Sequence, residues 1–358
     1  MQEIVQRIPR DAVLVAQEEL LPQFSARRFI YSFPVISDYR RVDYWVAKRD
    51  LFFFDFHKGS WQNWVATGYF DPIIDRDNFI LYQRQVPRAI GPYQFGDDLE
   101  LQGFTVLPAA PWQGGMILRP IAEWQTHKLI SQKYAMTLQV VDRWGHVWAS
   151  HSAEPLEGAM PTDRWQLGKP IGDQYTLKLP PTMPSDDYQI TLAVQSADSM
   201  DVQSNRLGDE IVMASIPIQK SHESIEASQI QMGQRLYVDM REMRLLGFEL
   251  SQSEFKPNDA VQLGIYWRAR NKPQGDYRVR VRLIDSANQV VFEQIDRPAK
   301  GTFATTEWSA GEVLLDWHDW TISATMPPGN YTVHVSMIGT KSSEILGDAE
   351  LTKITVTQ

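Results

Sequence analysis

The last three quarters of this chain state one pattern twice, and a chain so built must fold into two like units. Leu101-Gln102-Gly103-Phe104 returns 144 positions later as Leu245-Leu246-Gly247-Phe248. The offset then settles at 143: Trp124 answers to Trp267, Tyr134 to Tyr277, Asp142 to Asp285 and Trp165 to Trp308. Gly168 and Gly311, Asp173 and Asp316, Pro184 and Pro327, and Tyr188 and Tyr331 continue the series. After a short deletion, Leu207-Gly208-Asp209 matches Leu346-Gly347-Asp348 at 139. Rare residue types held in register over such a length do not arise by chance, so the copies are homologous.

Each copy reads as strands. In Tyr277-Arg278-Val279-Arg280-Val281-Arg282-Leu283 apolar residues alternate with arginines, and Tyr134-Ala135-Met136-Thr137-Leu138-Gln139-Val140 alternates likewise. Turns follow at Asp285-Ser286-Ala287-Asn288 and at Asp142-Arg143-Trp144-Gly145. Short strands with regular turns predict two all-β sandwiches of immunoglobulin-like kind, at residues 96–225 and 226–358, with a polar boundary at 219–231.

Residues 1–95 lack the repeat. Strands are predicted at 12–15, 28–32, 43–47 and 79–82, a helical turn broken by Pro22 at 18–24, and a helix at 60–67 with Ser60 as its N-cap. Strands alternating with short helices predict a small α/β unit. Residues 85–96, with two prolines and two glycines, read as the linker to the first sandwich.

This first segment resembles the soluble tail of a family of polytopic bacterial membrane proteins, uncharacterised relatives of the dolichyl-phosphate-mannose-type glycosyltransferases. The resemblance lies in Ile8-Pro9-Arg10-Asp11-Ala12-Val13-Leu14-Val15-Ala16-Gln17, Leu21-Pro22-Gln23-Phe24-Ser25-Ala26-Arg27, Tyr31-Ser32-Phe33-Pro34 and Asp43-Tyr44-Trp45-Val46. Gln23 stands where family members often carry His. The repeats are similar to the β modules found on such proteins. The resemblance implies an extracytoplasmic region, anchored through membrane helices upstream of Met1, with any glycosyltransferase chemistry in that upstream part.

The net charge of −9 opposes nucleic-acid binding, which needs a face dense in Lys and Arg. The acidity is concentrated in residues 96–225, where 16 Asp and Glu face 9 Lys and Arg. Absence of cysteine excludes disulfides, thiolate catalysis and Cys-ligated zinc. No stretch of 18 apolar residues is present to span a bilayer, and Met1-Gln2-Glu3-Ile4 does not open a signal peptide.

Asp75-Arg76-Asp77 has the DxD form in which two carboxylates share a divalent metal, and a polar turn is the plainer account. In Asp316-Trp317-His318-Asp319-Trp320 a strand puts Asp316, His318 and Trp320 on one face, where Asp316 and His318 could touch one ion, and Trp317 and Asp319 on the other; an exposed strand face is the plainer account. No catalytic residues are assigned: the seven His are scattered, no Gly-x-Ser-x-Gly occurs, and no cofactor is implied. Shared tryptophans belong to the architecture. The unshared Trp144, Trp148, Trp317 and Trp320 are the ligand candidates, since exposed rings stack on sugar faces, with a domain contact as the competing account. The leading expectation is a non-catalytic accessory region that binds or positions envelope glycan or a protein partner. A secreted carbohydrate-active enzyme or binding-module pair, or a structural spacer, are the alternatives.

Overall fold

A computed structural model describes residues 1–33, 42–49, 70–84, 89–197, 206–222, 224–340 and 344–358. The helix expected at 60–67 lies outside them. The described chain is mostly β, arranged in five sheets.

The first sheet runs Ile30–Phe33, Leu14–Gln17, Tyr44–Lys48, Phe79–Arg84, Phe70–Arg76. Its first three strands are parallel and its last two antiparallel. Alternation splits the strands between two cores. Leu14, Ala16, Val46 and Leu81 meet Ile4 of the helix Gln2–Arg7 and Leu20 and Phe24 of the 3-10 segment Glu18–Phe24. On the opposite face Val15, Trp45, Ile80 and Tyr82 join Leu107 and Ile121 of the first repeat. Trp45 lies between Phe33 and Tyr82, with ring centroids 5.5 and 4.9 Å away. Phe70–Arg76 was not foreseen, because Pro72 and a register shift before Ile74 break its alternation; it is an edge strand, where proline is tolerated.

In the first repeat Ile171–Gln174, Ile117–Gln125, Leu99–Leu107 and Ala89–Phe95 form one sheet. Val147–Ala153, Tyr134–Val141, Asp186–Ser196, Ile211–Gln219 and Trp112–Gln113 form the other, and one core joins the two. The second repeat pairs Gln234–Met240, Met243–Leu250, Ala260–Ala269 and Val313–Thr321. Facing them are Glu254–Phe255, Ile345–Val356, Gly329–Gly339, Tyr277–Ile284 and Val290–Asp296, again around one core. The strand Ala89–Phe95 corrects the expected linker. Its Pro92 lies in an edge strand, so a composition that reads as a spacer still pairs with Leu99–Leu107.

The copies agree in detail. Both carry a register shift at the recurring Leu-x-Gly, between Leu101 and Gly103 and between Leu245 and Gly247. Thr162 Oγ1 accepts from Tyr134 N at 3.0 Å, and Thr305 Oγ1 from Tyr277 N at 2.9 Å. Tyr188 donates its hydroxyl to Pro184 O and Tyr331 to Pro327 O. The shared Trp124, Trp165, Trp267 and Trp308 are all buried.

The expected exposed face of Val313–Thr321 is a correction: Asp316, His318 and Trp320 are buried. Apolar Leu314 and Ile322 continue that face into the core. The buried carboxylate is matched by partners, accepting from Ala299 N at 2.8 Å and lying 2.8 Å from His318 Nε2. Asp173 holds Leu156 N in the same way.

Candidate functional site

Three of the unshared tryptophans, Trp144, Trp148 and Trp317, converge where the two repeats meet. In the first, Asp142 Oδ1 accepts from Trp144 N and His146 N at 2.9 and 3.0 Å, and Gly145 closes the turn at φ +89°. Asp285 does the same in the second, accepting from Ala287 N and Gln289 N, with Asn288 at φ +64°. The scaffold is common to both, but Trp144, His146 and Trp148 stand where the second has Ala287, Gln289 and Val291.

From this tip the His146 ring reaches across to the second repeat. Its Nδ1 lies 2.7 Å from Asp142 Oδ2 and its Nε2 lies 2.8 Å from Asp319 Oδ1. Trp148 Nε1 donates to Asp142 Oδ2 at 3.0 Å. Trp317 stacks on the imidazole at 4.8 Å and an interplanar angle of 7°, and meets Trp148 edge-on at 6.5 Å. Lys300 Nζ lies 3.4 Å from Asp319, and Leu315 N donates to Thr182 O at 3.0 Å. Two carboxylates thus face one imidazolium and one ammonium. Burial alone would lower the His146 pKa, but the hydrogen bonds and charges of Asp142 and Asp319 outweigh it and raise it to about 9. The same contacts hold both carboxyls below their ordinary range against desolvation.

A second polar contact lies in the boundary segment. Lys220, only 2% exposed, donates to Pro181 O and Ser221 O, both at 2.8 Å, and burial pushes its pKa down to about 8. His222 Nδ1 sits 2.5 Å from Glu312, whose other oxygen accepts from Ser309 N.

The geometry decides what the joint can do. Both His146 nitrogens are committed to carboxylates, so neither is free to relay a proton to a substrate. The cavity between the repeats measures about 20 Å³, room for one water and not for a sugar ring.

Of the sequence candidates, Trp148 and Trp317 build this joint. Trp144 lies at its mouth, 42% exposed, with the Arg143 guanidinium 5.2 Å from its ring centroid. Trp320 is placed in the second core, stacked on Phe292 at 5.3 Å. Asp75 lies 2.5 Å from Arg49, and Asp77 and Asn78 form a two-residue hairpin turn with φ of 52° and 67°. Among the described residues no group of three or more His, Asp and Glu side chains is placed to hold a metal. His146, Lys300 and Lys220 lie outside the candidates of the sequence, and Asp319 is named there only for its strand face. The signal for His146 was present: it differs between the copies inside a turn they share.

No family model matches the sequence, and no curated protein matches it. Among solved structures the chain is similar to a Pseudomonas fluorescens alkylpurine DNA glycosylase, AlkC, bound to DNA containing an abasic site analog. The identity is 15% and the TM-score 0.24, over 33% of this chain and 31% of that one. The chain therefore spans about a third of the glycosylase, and a likeness this slight bears on neither fold nor function.

Proposed function

We propose that this chain is a non-catalytic, extracytoplasmic region of a bacterial membrane protein, a stiff arm that positions an envelope glycan or a protein partner. In this reading the first segment is a small α/β unit and the repeats are immunoglobulin-like sandwiches. Supporting the latter, each repeat places the tyrosine Tyr188 or Tyr331 at the start of a central strand, bonded to a carbonyl four residues back. The membrane setting rests on the resemblance of residues 8–46 and the upstream helices it implies.

One observation carries the arm reading. Residues that differ between the copies, His146, Trp148 and Trp317, are spent on locking one repeat to the next. Small-angle scattering tests the stiffness: wild type fits a single compact arrangement of the repeats, and His146→Gln broadens the distribution. Equal flexibility in both overturns it. Fractionation of native cells tests the setting, which fails if the protein is recovered wholly in the cytosol. The exposed Trp144 ring favours one second reading, a carbohydrate-binding face, which a glycan array with Trp144→Ala would test.

A further inference from the structure

The outer face of the second repeat carries a row of arginines that the joint does not use. Along Tyr277–Ile284 the side chains of Val279, Val281 and Leu283 enter the core, so Arg278, Arg280 and Arg282 line up on the opposite face. Alternate residues of a strand are about 7 Å apart, which makes a ladder of three guanidinium groups. Only its Arg282 end is neutralised. Asp348 pairs with Arg282 and also accepts from Ser336 Oγ at 2.5 Å, with His334 Nδ1 at 3.2 Å. Glu293 lies opposite Arg282 across the strand pair.

At the other end Arg278 and Arg280 have no carboxylate at ion-pair distance among the described residues. Arg280 Nη2 donates to the neutral Ser336 Oγ at 3.3 Å, and the strand neighbours are Ile295 and Ile338. The Nε atoms of all three arginines are buried without a hydrogen-bond partner among the described residues.

Folding does not require this arrangement. The first repeat has Ala135, Thr137 and Gln139 at the matching positions, and Ala193 where Ser336 stands. Like charges side by side and buried unpaired donors both cost stability. An oxyanion at the outward Nη groups relieves the first, since carboxylate and phosphate oxygens match the guanidinium fork. We propose that this ladder binds a linear oxyanion-bearing polymer, held chiefly by Arg278 and Arg280. Successive carboxylates or phosphates along one chain would occupy successive guanidinium groups. Among the outward residues of the neighbouring strands, Thr332, Ser336, Glu293 and Ile295 carry no ring and His334 lies opposite Arg282, away from Arg278 and Arg280, so the face offers no series of rings on which successive bases would stack. The inference does not depend on the membrane setting or on the joint.

The full chain is titrated by calorimetry with polygalacturonate and, separately, with linear polyphosphate, at low and high ionic strength. Binding of either polymer that fades with salt is expected, and the better ligand names the carboxylate or phosphate source. R278A/R280A weakens it about tenfold or more, whereas the charge-matched R7A/R10A leaves it unchanged. Should the alanine pair fail to fold, R278K/R280K keeps the charge, removes the fork and weakens binding about threefold or more. Absence of binding to both polymers, or an equal loss in R7A/R10A, overturns the proposal.

Discussion

At the tip that begins with Asp142 the first repeat presents Trp144, His146 and Trp148; at the tip that begins with Asp285 the second presents Ala287, Gln289 and Val291. Both tips are held by the same carboxylate-to-backbone bonds. The first is pressed against its neighbour, whereas Val290 and Val291 of the second face solvent. Duplication therefore preserved the scaffold while the joint was written into side chains the scaffold does not need.

The comparison is tested hardest in the cores. Trp308→Ala empties a fully buried site and should cost about 3–5 kcal/mol, with Trp165→Ala close behind. Denaturant titration measures both, and a loss under about 1 kcal/mol in either would end their equivalence.

Exchanging tip residues comes next. His146→Gln installs the second repeat's residue, leaves Asp142 without its cation and Asp319 with Lys300 alone, and should cost about 2–4 kcal/mol. Gln289→His sits on an exposed tip and should cost under about 0.5 kcal/mol. Equal melting shifts in the two variants would show that the joint contributes nothing.

The joint also predicts a pH profile. The folded His146 pKa, about 9, lies above the ordinary 6.5, so the folded state holds the extra proton between those values. Its stabilisation is complete below about pH 6.5 and is lost as pH rises through about 9. Lys220 acts oppositely: its pKa, lowered to about 8 from 10.5, returns stability as pH rises between those values. A pH series of melting temperatures on wild type and His146→Gln separates them, since only wild type should decline from pH 6.5 to 8.

Gly247→Ala is a smaller perturbation. A Cβ there would lie 2.2 Å from the Gln234 carbonyl oxygen, forcing the bulge apart at about 1–3 kcal/mol. A similar loss in Gly103→Ala would extend the equivalence of the copies to their bulges; thermal melting decides. Smallest is Trp144→Ala, which should change stability by under about 0.5 kcal/mol because the residue is exposed at the mouth of the joint. If that variant nonetheless loses binding on a glycan array, the first tip has a second use.

Much of this architecture was legible in the sequence. Strict alternation in Tyr134–Val141 and Tyr277–Ile284 announces strands, and residues shared at one offset mark the cores. Phe70–Arg76 and Ala89–Phe95 were hidden, since proline and irregular pairing erase alternation at sheet edges. The burial of Asp316 was hidden for another reason: a carboxylate can enter a core once a backbone N–H meets it, and that donor, from Ala299, lies 17 residues away. The joint was half visible. Trp148 and Trp317 were marked as unshared, but pairing His146 with Asp319 requires knowing how two domains dock, and spacing along one chain does not encode that.

The hydrogen bond from Leu315 N to Thr182 O carries one more consequence. Val313–Thr321 is the outermost strand of its sheet, with Val313 and Leu315 turned toward the first repeat. An uncovered rim of that kind recruits strands from other molecules. The first repeat thus acts as a built-in guard, and the second repeat expressed alone should self-associate unless that rim is capped.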